Sequence, residues 1–395
     1  MNAPPLMETK QRIESLDILR GFIILLMALD HTRDFFHTDA FRFDPEDISQ
    51  STIPLFFTRW ITHLCAPLFL LIAGISIKLY QEKNTPQNTS YYLLKRGAWL
   101  IVLELTLVQF AWHFSVDFHH VTGLVLWMLG WCMMFMALFI HCSQRLIIFF
   151  SLTILLLHNT LDGLTIPENN LVQKLAWAFL HVNDKIFLTD TFYVRILYPL
   201  IPALAIMMLG YGIGKWYTSG YDALKRKKQL LYAGLVLFTL FLLFRYFNVY
   251  GDVLLFEKQP TVSQTIMSFL SISKYPFSLH YCLSTLGIGL VLLYFFETIR
   301  LHQFQILHVF GKESLFIYIL HLYFFHTLAG ILFIVSNGGN IPKALDPGTL
   351  NNLGYGYSLS IVYLIWILGC TVFYFAALKY AAYKKTHYNV ITALV

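Results

Sequence analysis

Long apolar runs alternate with short polar segments along most of the chain. A membrane-spanning helix needs roughly 20 apolar residues. The runs predict ten such helices, over residues 17–36, 58–80, 91–112, 122–141, 145–161, 195–217, 229–248, 276–299, 310–335 and 356–382. The predicted fold is therefore all-α: a polytopic integral membrane helical bundle that forms a single domain, residues 1–395.

The composition agrees with a membrane protein and excludes an ordinary soluble domain. Hydrophobic residues make up 57% of the chain and charged residues 13%, whereas soluble domains are about 25% charged. The net charge of +6 does not indicate nucleic-acid binding, because excess Lys and Arg in membrane proteins lie mainly in cytoplasmic loops. We therefore expect membrane lipids, and no nucleic acid, among the partners.

The loop charges predict how the chain crosses the membrane. Lys and Arg are concentrated in the N-terminus and the even-numbered connections, including the run KRKK at 225–228, while acidic residues prevail in the others. Both termini are therefore predicted to be cytoplasmic, as tails 1–16 and 383–395. Residues 162–194 are predicted to form an extracytoplasmic loop, in which 171–188 has the spacing of an interfacial helix.

The first predicted helix contains several ionisable residues. Arg20 and His31 are eleven positions apart, which is about 1,100° of rotation, so they share one face and lie about 16 Å apart along the axis. Asp34 is three residues beyond His31, within side-chain reach on a helix. A carboxylate there can fix the tautomer of a histidine that acts as a base.

A structural interpretation of the same residues stays open. Arg20 can extend to lipid phosphates, and Asp30, His31, Arg33 and Asp34 can mark the outer end of the helix. These residues and those of the later helices are nevertheless functional candidates, because ionisable groups inside a membrane are costly. The later candidates are His63, at a depth similar to His31, and Glu104 and His321 nearer the middle of the membrane.

Three of these groups have clear alternatives. A lone histidine in an apolar helix, such as His63 or His321, is most often a packing residue. The Glu104 carboxyl must be paired or protonated, so a proton pathway and a structural pair with an arginine are both open.

The predicted outer loop WHFSVDFHHVTG is rich in histidine. His113, Asp117, His119 and His120 fall within eight residues, and such residues can bind metals. Their spacing matches no standard ligand pattern. We therefore expect no metal and interpret the loop as a polar rim around the site where an acceptor enters.

Five blocks of the sequence resemble one known family in the same order. They are RIESLDILRGFIILLMALDHTRDFFH (12–37), RWITHLCAPLFLLIAGISI (59–77), YPLIPALAIMMLGYGIG (198–214), SFLSISKYPFSLHYCLSTLG (268–287) and FGKESLFIYILHLYFFH (310–326). Together they resemble the heparan-alpha-glucosaminide N-acetyltransferase catalytic-domain family, in its bacterial branch. The Arg–x10–His spacing is also similar to that of membrane acyltransferases that modify cell-surface sugars.

The resemblance implies acyl transfer across a membrane. The donor would be acetyl-CoA, an acyl-CoA in the cytoplasm, and the acceptor a glycan or amino sugar whose amine or hydroxyl lies on the extracytoplasmic side. A bacterial inner membrane is the expected location, and a homodimer is left open. The animal enzyme of the family is thought to use a lumenal histidine before its second helix, but the matching segment here, 44–60, contains none. His31 is thus the first candidate base and His63 the second.

The resemblance and the residues together give each candidate a role. Arg20, Lys95, Arg96 and Lys312 are predicted to hold the phosphates of the donor at the inner face. His31, oriented by Asp30 or Asp34, would take a proton from the attacking acceptor. A covalent acyl-histidine intermediate is left open as a variant.

Two rival functions belong to other classes. The first is a proton-coupled transporter of a small solute, in which His31, Glu104 and His321 form a relay. The second is a non-catalytic relative that only binds acyl-CoA or lipid. Release of CoA in step with acceptor modification would separate an enzyme from both.

Overall fold

The computed structural model describes residues 13–116, 119–167, 170–299 and 304–387. The ends of both predicted tails, and Asp117, lie outside the described residues. The helices are α1 Glu14–Phe36, α2 Ile53–Ile61, α3 Cys65–Gln81, α4 Pro86–Leu103, α5 Gln109–His113, α6 Val125–Phe139, α7 Gln144–Leu157, α8 Leu171–Leu180, α9 Leu200–Ile213, α10 Ala223–Phe247, α11 Val262–Leu270, α12 Leu279–Thr298, α13 Gln305–Lys312, α14 Ser314–Ser336, α15 Pro347–Asn352 and α16 Leu359–Thr386.

An all-α polytopic membrane bundle is confirmed. Each predicted span coincides with a helix, and seven helical segments in the described ranges are long and apolar enough to cross a membrane. They are Ile53–Gln81, Gln144–Leu161, Leu200–Tyr217, Ala223–Phe247, Leu279–Thr298, Ser314–Ser336 and Leu359–Thr386. The remaining predicted spans are α1, which carries many charges, α4–α5, which is interrupted, and α6, which is short. The count of ten spans and the cytoplasmic termini stay predictions.

The second spanning segment bends at its centre, between α2 and α3. Thr62–Leu64 forms a single 3₁₀ turn there, just before Pro67. Proline has no N–H, so the carbonyl of His63 lacks its helical partner. The hydroxyl of Tyr281 donates to that carbonyl at 2.7 Å, which ties α12 to the bend.

A small sheet interrupts the helical pattern in the predicted outer loops. The strands are β1 His120–Gly123, β2 Lys185–Phe187 and β3 Tyr193–Ile196, in the order β1–β3–β2. β1 pairs with β3 in parallel and β2 pairs with β3 antiparallel. The predicted helix over 171–188 is therefore wrong beyond Leu180, because Lys185–Phe187 bonds to β3 and buries Ile186 against it.

Close glycine contacts join four pairs of helices. They are Gly21 with Gly311 (α1–α13), Gly74 with Gly210 (α3–α9), Gly97 with Gly130 (α4–α6) and Gly234 with Gly287 (α10–α12). A methyl group added at Gly21 would overlap the carbonyl oxygen of Leu307, and one at Gly311 that of Asp17. Small residues let helix backbones approach closely in membranes, where lipid is as apolar as the side chains.

Helix α1 lies inside the bundle. It packs against α3, α12, α13, α14 and α16, and most of its side chains are buried. Asp17, Asp30 and Arg33 are buried among these helices, whereas Glu14 at the start of α1 is exposed. Arg20, which could have extended to lipid phosphates, instead pairs with Asp17 at 2.7 Å.

Candidate active site

Two histidines that are distant in sequence meet at the centre of the bundle. Nδ1 of His31, on α1, lies 2.6 Å from Nε2 of His321, on α14. The two rings are within 7° of parallel, and their centroids are 4.9 Å apart. Parallel rings that stack face to face keep their atoms at about 3.5 Å or more, so a contact of 2.6 Å means that the rings meet edge to edge in a hydrogen bond.

The position of this pair follows from the glycine contact below it. His31 is ten residues beyond Gly21, and His321 is ten residues beyond Gly311. Ten helical residues rise about 15 Å. Because α1 and α13–α14 run side by side from the glycine contact, both histidines reach the same level, although His321 was predicted to lie deeper than His31.

An aromatic pair, Trp112 and Phe35, lies beside His31. The Trp112 ring packs edge-on against His31 with centroids 5.1 Å apart, and Phe35 stacks on Trp112 at 5.2 Å. His31 itself remains partly exposed, whereas His321 is fully buried. Of the two histidines, only His31 therefore keeps a solvent-accessible surface.

The carboxylates of α1 have partners other than His31. Asp30 binds Arg59 at 2.7 Å and Arg33 at 3.0 Å, and Asp34 binds Arg33 at 2.6 Å. No hydrogen bond joins either carboxylate to His31 in the described ranges. The prediction that Asp30 or Asp34 orients His31 is therefore wrong as a direct contact: the arginines outcompete the imidazole for the carboxylates, and His321 takes the place next to the ring.

Ion pairs continue from α1 into the following loop and α2. Arg59 Nε lies 3.7 Å from Glu46, and the carboxylate of Glu46 contacts the His63 ring. The ammonium of Lys274, in the loop before α12, acts electrostatically on Asp30 and Glu46. We call this set the ion network; it contains three carboxylates and three cations, Asp30, Asp34, Glu46, Arg33, Arg59 and Lys274.

Sequence reasoning missed half of the ion network. Only Asp30, Arg33 and Asp34 were singled out from the sequence. Arg59, Glu46 and Lys274 were not. The available signal was indirect. Asp30 and Asp34 are two buried carboxylates beside one arginine, Arg33, and buried charges need paired partners.

The Glu46–His63 contact predicts a loss of stability in acid. Burial by itself raises the pKa of Glu46, but His63 and Arg59 outweigh it and hold that pKa below its ordinary value. A lowered carboxyl pKa stabilises the fold above the unfolded pKa, about 4.3, and the stabilisation is lost as the pH falls through the folded value. In detergent, the melting temperature of Glu46→Gln should therefore lie below that of wild type near neutral pH. The difference between the two melting temperatures should close below about pH 4.

Asp190→Asn is the control, because Asp190 is a carboxylate exposed to solvent between β2 and β3. A gap between Glu46→Gln and wild type that persists unchanged in acid would contradict the assignment.

Glu104 has a structural partner that neither alternative anticipated. It begins a π-helical turn, Glu104–Val108, between α4 and α5. Its Oε2 accepts the backbone N–H of Leu126 at 2.8 Å and of Trp127 at 3.3 Å. These are among the first N–H groups of α6, which have no partner within a helix, and Leu124 before them has no side chain able to cap. Glu104 thus caps α6 from a neighbouring helix.

The capping contact predicts how Glu104 variants behave. Glu104→Ala leaves two buried N–H groups unpaired, at a cost of about 1–3 kcal/mol each, so the melting temperature in detergent should fall clearly. Glu104→Gln keeps an acceptor oxygen and should retain most of the stability and the activity. If Glu104→Gln melted like wild type but lost activity, a proton-relay role would be indicated instead.

The four predicted phosphate-binding cations fall into two groups. Arg20 and Lys312 belong to the packed pair α1–α13, and Lys312 lines a cavity of about 410 Å³ between α13 and α16, together with Lys384 and Lys385. Lys95 and Arg96 lie on α4, which packs against α6. The structure therefore brings Arg20 and Lys312 onto one helix pair and leaves Lys95 and Arg96 on another.

The histidine-rich loop forms part of the small sheet. Nε2 of His113 lies 3.1 Å from Nε2 of His120, and the His120 ring stacks on Tyr193 of β3 at 4.9 Å. Within the ranges that the structure describes, no group of three or more His, Cys, Asp or Glu residues could hold a metal ion. The two histidines instead link α5 to the edge of the sheet.

More than half of the chain matches a known protein family. Residues 12–250 match the family described as "Heparan-alpha-glucosaminide N-acetyltransferase, catalytic". The chain belongs to this family. Membership indicates a membrane acetyltransferase, in agreement with the resemblance noted in the sequence. Comparison with curated proteins gives no match.

The N-acetyltransferase match covers one side of the histidine pair. His31, most of the ion network, His63 and Glu104 lie within residues 12–250, whereas Lys274, Lys312 and His321 lie beyond it. The site is thus assembled from the matched region and from α13–α14, which carry the last of the resembling sequence blocks.

Proposed function

We propose that this family member transfers an acetyl group from cytoplasmic acetyl-CoA to an amine or hydroxyl of a glycan or amino sugar on the extracytoplasmic side, with His31 as general base. The observation that carries the proposal is His31 itself. It is a partly exposed histidine inside a bundle whose family is one of acetyltransferases, and one of its ring nitrogens is fixed by His321.

His31 would move a single proton twice. As the acceptor nitrogen or oxygen forms a bond to the acetyl carbon, His31 takes the proton that the acceptor loses. The bond from carbon to sulfur then breaks, and His31 returns the proton to the leaving thiolate of CoA. The products are the acetylated acceptor and free CoA, and the enzyme is unchanged.

The ion network supports an acceptor rich in hydroxyl groups. It lies beside His31, since Asp30 is the preceding residue, and its formal charges cancel. Among the described residues, Nε and Nη1 of Arg33 and Nδ1 of His63 are buried and have no hydrogen-bond partner. Buried polar atoms are normally satisfied. The proposal therefore gives these atoms to the hydroxyl oxygens of a sugar, which reaches them only when the side chains that cover them move aside, with His63 assigned to the acceptor side.

Arg20 and Lys312 support a donor that approaches from the opposite end of α1. Both lie near the glycine contact, about 15 Å along the helices from the histidine pair. A guanidinium and an ammonium suit the phosphates of CoA. The proposal therefore places the phosphates at the cytoplasmic end and the acetyl group towards His31, in a bacterial inner membrane.

The decisive experiment measures CoA release. The purified full-length protein in detergent is given acetyl-CoA and a pool of amino sugars and envelope glycans, and free thiol is followed with time. Release that depends on an acceptor is the expected result. Saturable CoA binding without release would support the binding-only relative, and neither binding nor release would favour the transporter.

A further inference from the structure

We propose that His321 is a positioning residue that fixes the tautomer of His31, so that Nε2 of His31 is the basic nitrogen. The inference rests on the proposed role of His31 as general base. It concerns a hydrogen-bonded chain of three groups, the carbonyl of Ile317, the ring of His321 and the ring of His31. We call it the histidine chain.

The direction of the histidine chain is set at its buried end. Nδ1 of His321 lies 2.8 Å from the carbonyl oxygen of Ile317. A carbonyl oxygen can only accept a hydrogen bond, so Nδ1 of His321 carries a proton. In a neutral imidazole the other nitrogen is then an acceptor, and Nε2 of His321 must receive its hydrogen bond from His31.

The consequence for His31 follows directly. Nδ1 of His31, 2.6 Å from the acceptor nitrogen of His321, carries the proton of that hydrogen bond. Neutral His31 therefore has its lone pair on Nε2. Without His321 both tautomers of His31 would be populated. In part of the protein Nε2 would then carry a proton and could not take one from the acceptor substrate.

His321 is held firmly enough to impose this choice. It is fully buried, and the rings of Tyr318, Phe325 and Phe373 surround it at 5.6–6.4 Å between centroids. His31 is the partly exposed member of the pair. His321 therefore acts through His31 and does not touch the substrate.

The histidine chain also stabilises the proton after transfer. When His31 takes up a proton at Nε2, its Nδ1–H still donates to His321, and the bond becomes charge-assisted and stronger. In hydrolase triads a carboxylate does this work. Here Asp30 and Asp34 are occupied by arginines, and a neutral imidazole fulfils the same function without adding a negative charge.

Three substitutions of His321 separate positioning from packing. In His321→Gln the amide oxygen can still accept the hydrogen bond from His31. In His321→Asn the shorter amide can replace only the hydrogen bond to the carbonyl of Ile317. In His321→Leu neither hydrogen bond can form. We expect His321→Leu and His321→Asn to lower kcat by about 10²-fold with the KM for acetyl-CoA unchanged, and His321→Gln to recover most of the rate. Recovery by Asn but not Gln would overturn the proposal in favour of a packing role.

A double-mutant cycle tests whether His321 acts through His31. Combining His321→Leu with His31→Ala should lower the rate no further than His31→Ala alone, because the two residues form one unit. A further loss of rate in the double variant would contradict the proposal. Melting temperatures of all variants identify those whose fold is damaged.

A spectroscopic measurement keeps this inference separate from the proposed function. In protein labelled with ¹⁵N-histidine, the His31 signals are those lost in His31→Ala, and nitrogen shifts distinguish protonated from unprotonated ring positions. We expect the proton on Nδ1 in wild type and a mixture in His321→Leu. An unchanged tautomer in His321→Leu would overturn positioning. If the tautomer changed as expected in His321→Leu but the wild-type protein transferred no acetyl group, the histidine chain would stand and the proposed function would be refuted.

Discussion

His31→Ala should lower the rate of acceptor-dependent CoA release by about 10²–10⁴-fold, the usual contribution of a general base. The acceptor would then have to lose its proton to water, while binding of acetyl-CoA at the other end of α1 stays intact. The KM for acetyl-CoA should therefore change little. His141→Ala removes an exposed histidine beyond the end of α6 and serves as the control.

Two outcomes would reassign the base. A rate near wild type in His31→Ala would exclude His31 from the role. A comparable loss of kcat in His63→Ala, with His31→Ala unaffected, would transfer the role of base to His63.

A trapped acetyl group on His31 of wild type, released only by acceptor, would establish the covalent variant of the mechanism.

Gly21→Ala should prevent stable folding. The added methyl group would overlap the carbonyl oxygen of Leu307 in α13, and a backbone atom cannot rotate away as a side chain can. Overpacking in a side-chain core costs about 1–3 kcal/mol; here two helices must separate, so we expect a loss beyond about 4 kcal/mol. Thermal melting and size-exclusion profiles in detergent measure the effect.

Gly163→Ala is the matched control, since a methyl group at Gly163 meets no atom within 4 Å. A Gly21→Ala protein that is monodisperse and melts like wild type would show that α1 and α13 are less closely packed than described. A variant that folds but loses only acetyl transfer would indicate that the contact matters mainly for alignment of the histidines.

The helical architecture could be predicted from the sequence because it follows from the length of apolar runs. Each run is a local property, and lipid leaves the backbone few alternatives to helix. His31, Glu104 and His321 could be recognised as candidate residues from local sequence as well, since each is an ionisable residue within an apolar stretch. The predicted helix was wrong over 181–188 because the structure there is not decided locally. Strand β2 forms by pairing with β3, and residues 181–188 alone do not encode that pairing.

The partners of the special residues could not be predicted in the same way. Asp34 was assigned to His31 because it is three residues away, whereas the actual neighbour, His321, is 290 positions distant. Glu104 bonds to backbone N–H groups, which every residue except proline possesses. Only the packing of α14 on α1 and of α4 on α6 decides these contacts.

The spacing from Gly21 to His31 on α1 equals that from Gly311 to His321 on α13–α14. Any change in the angle between the two helices therefore pivots about the glycine contact. The histidine pair lies about 15 Å from it, so a relative tilt of roughly 4° would move the rings about 1 Å apart and break a 2.6 Å hydrogen bond. Helices tilt to match the thickness of the bilayer around them. Under the proposed function, a bilayer that changed the angle between α1 and α13–α14 would also change the hydrogen bond that fixes the base, and the protein should then work at different rates in lipids of different chain length.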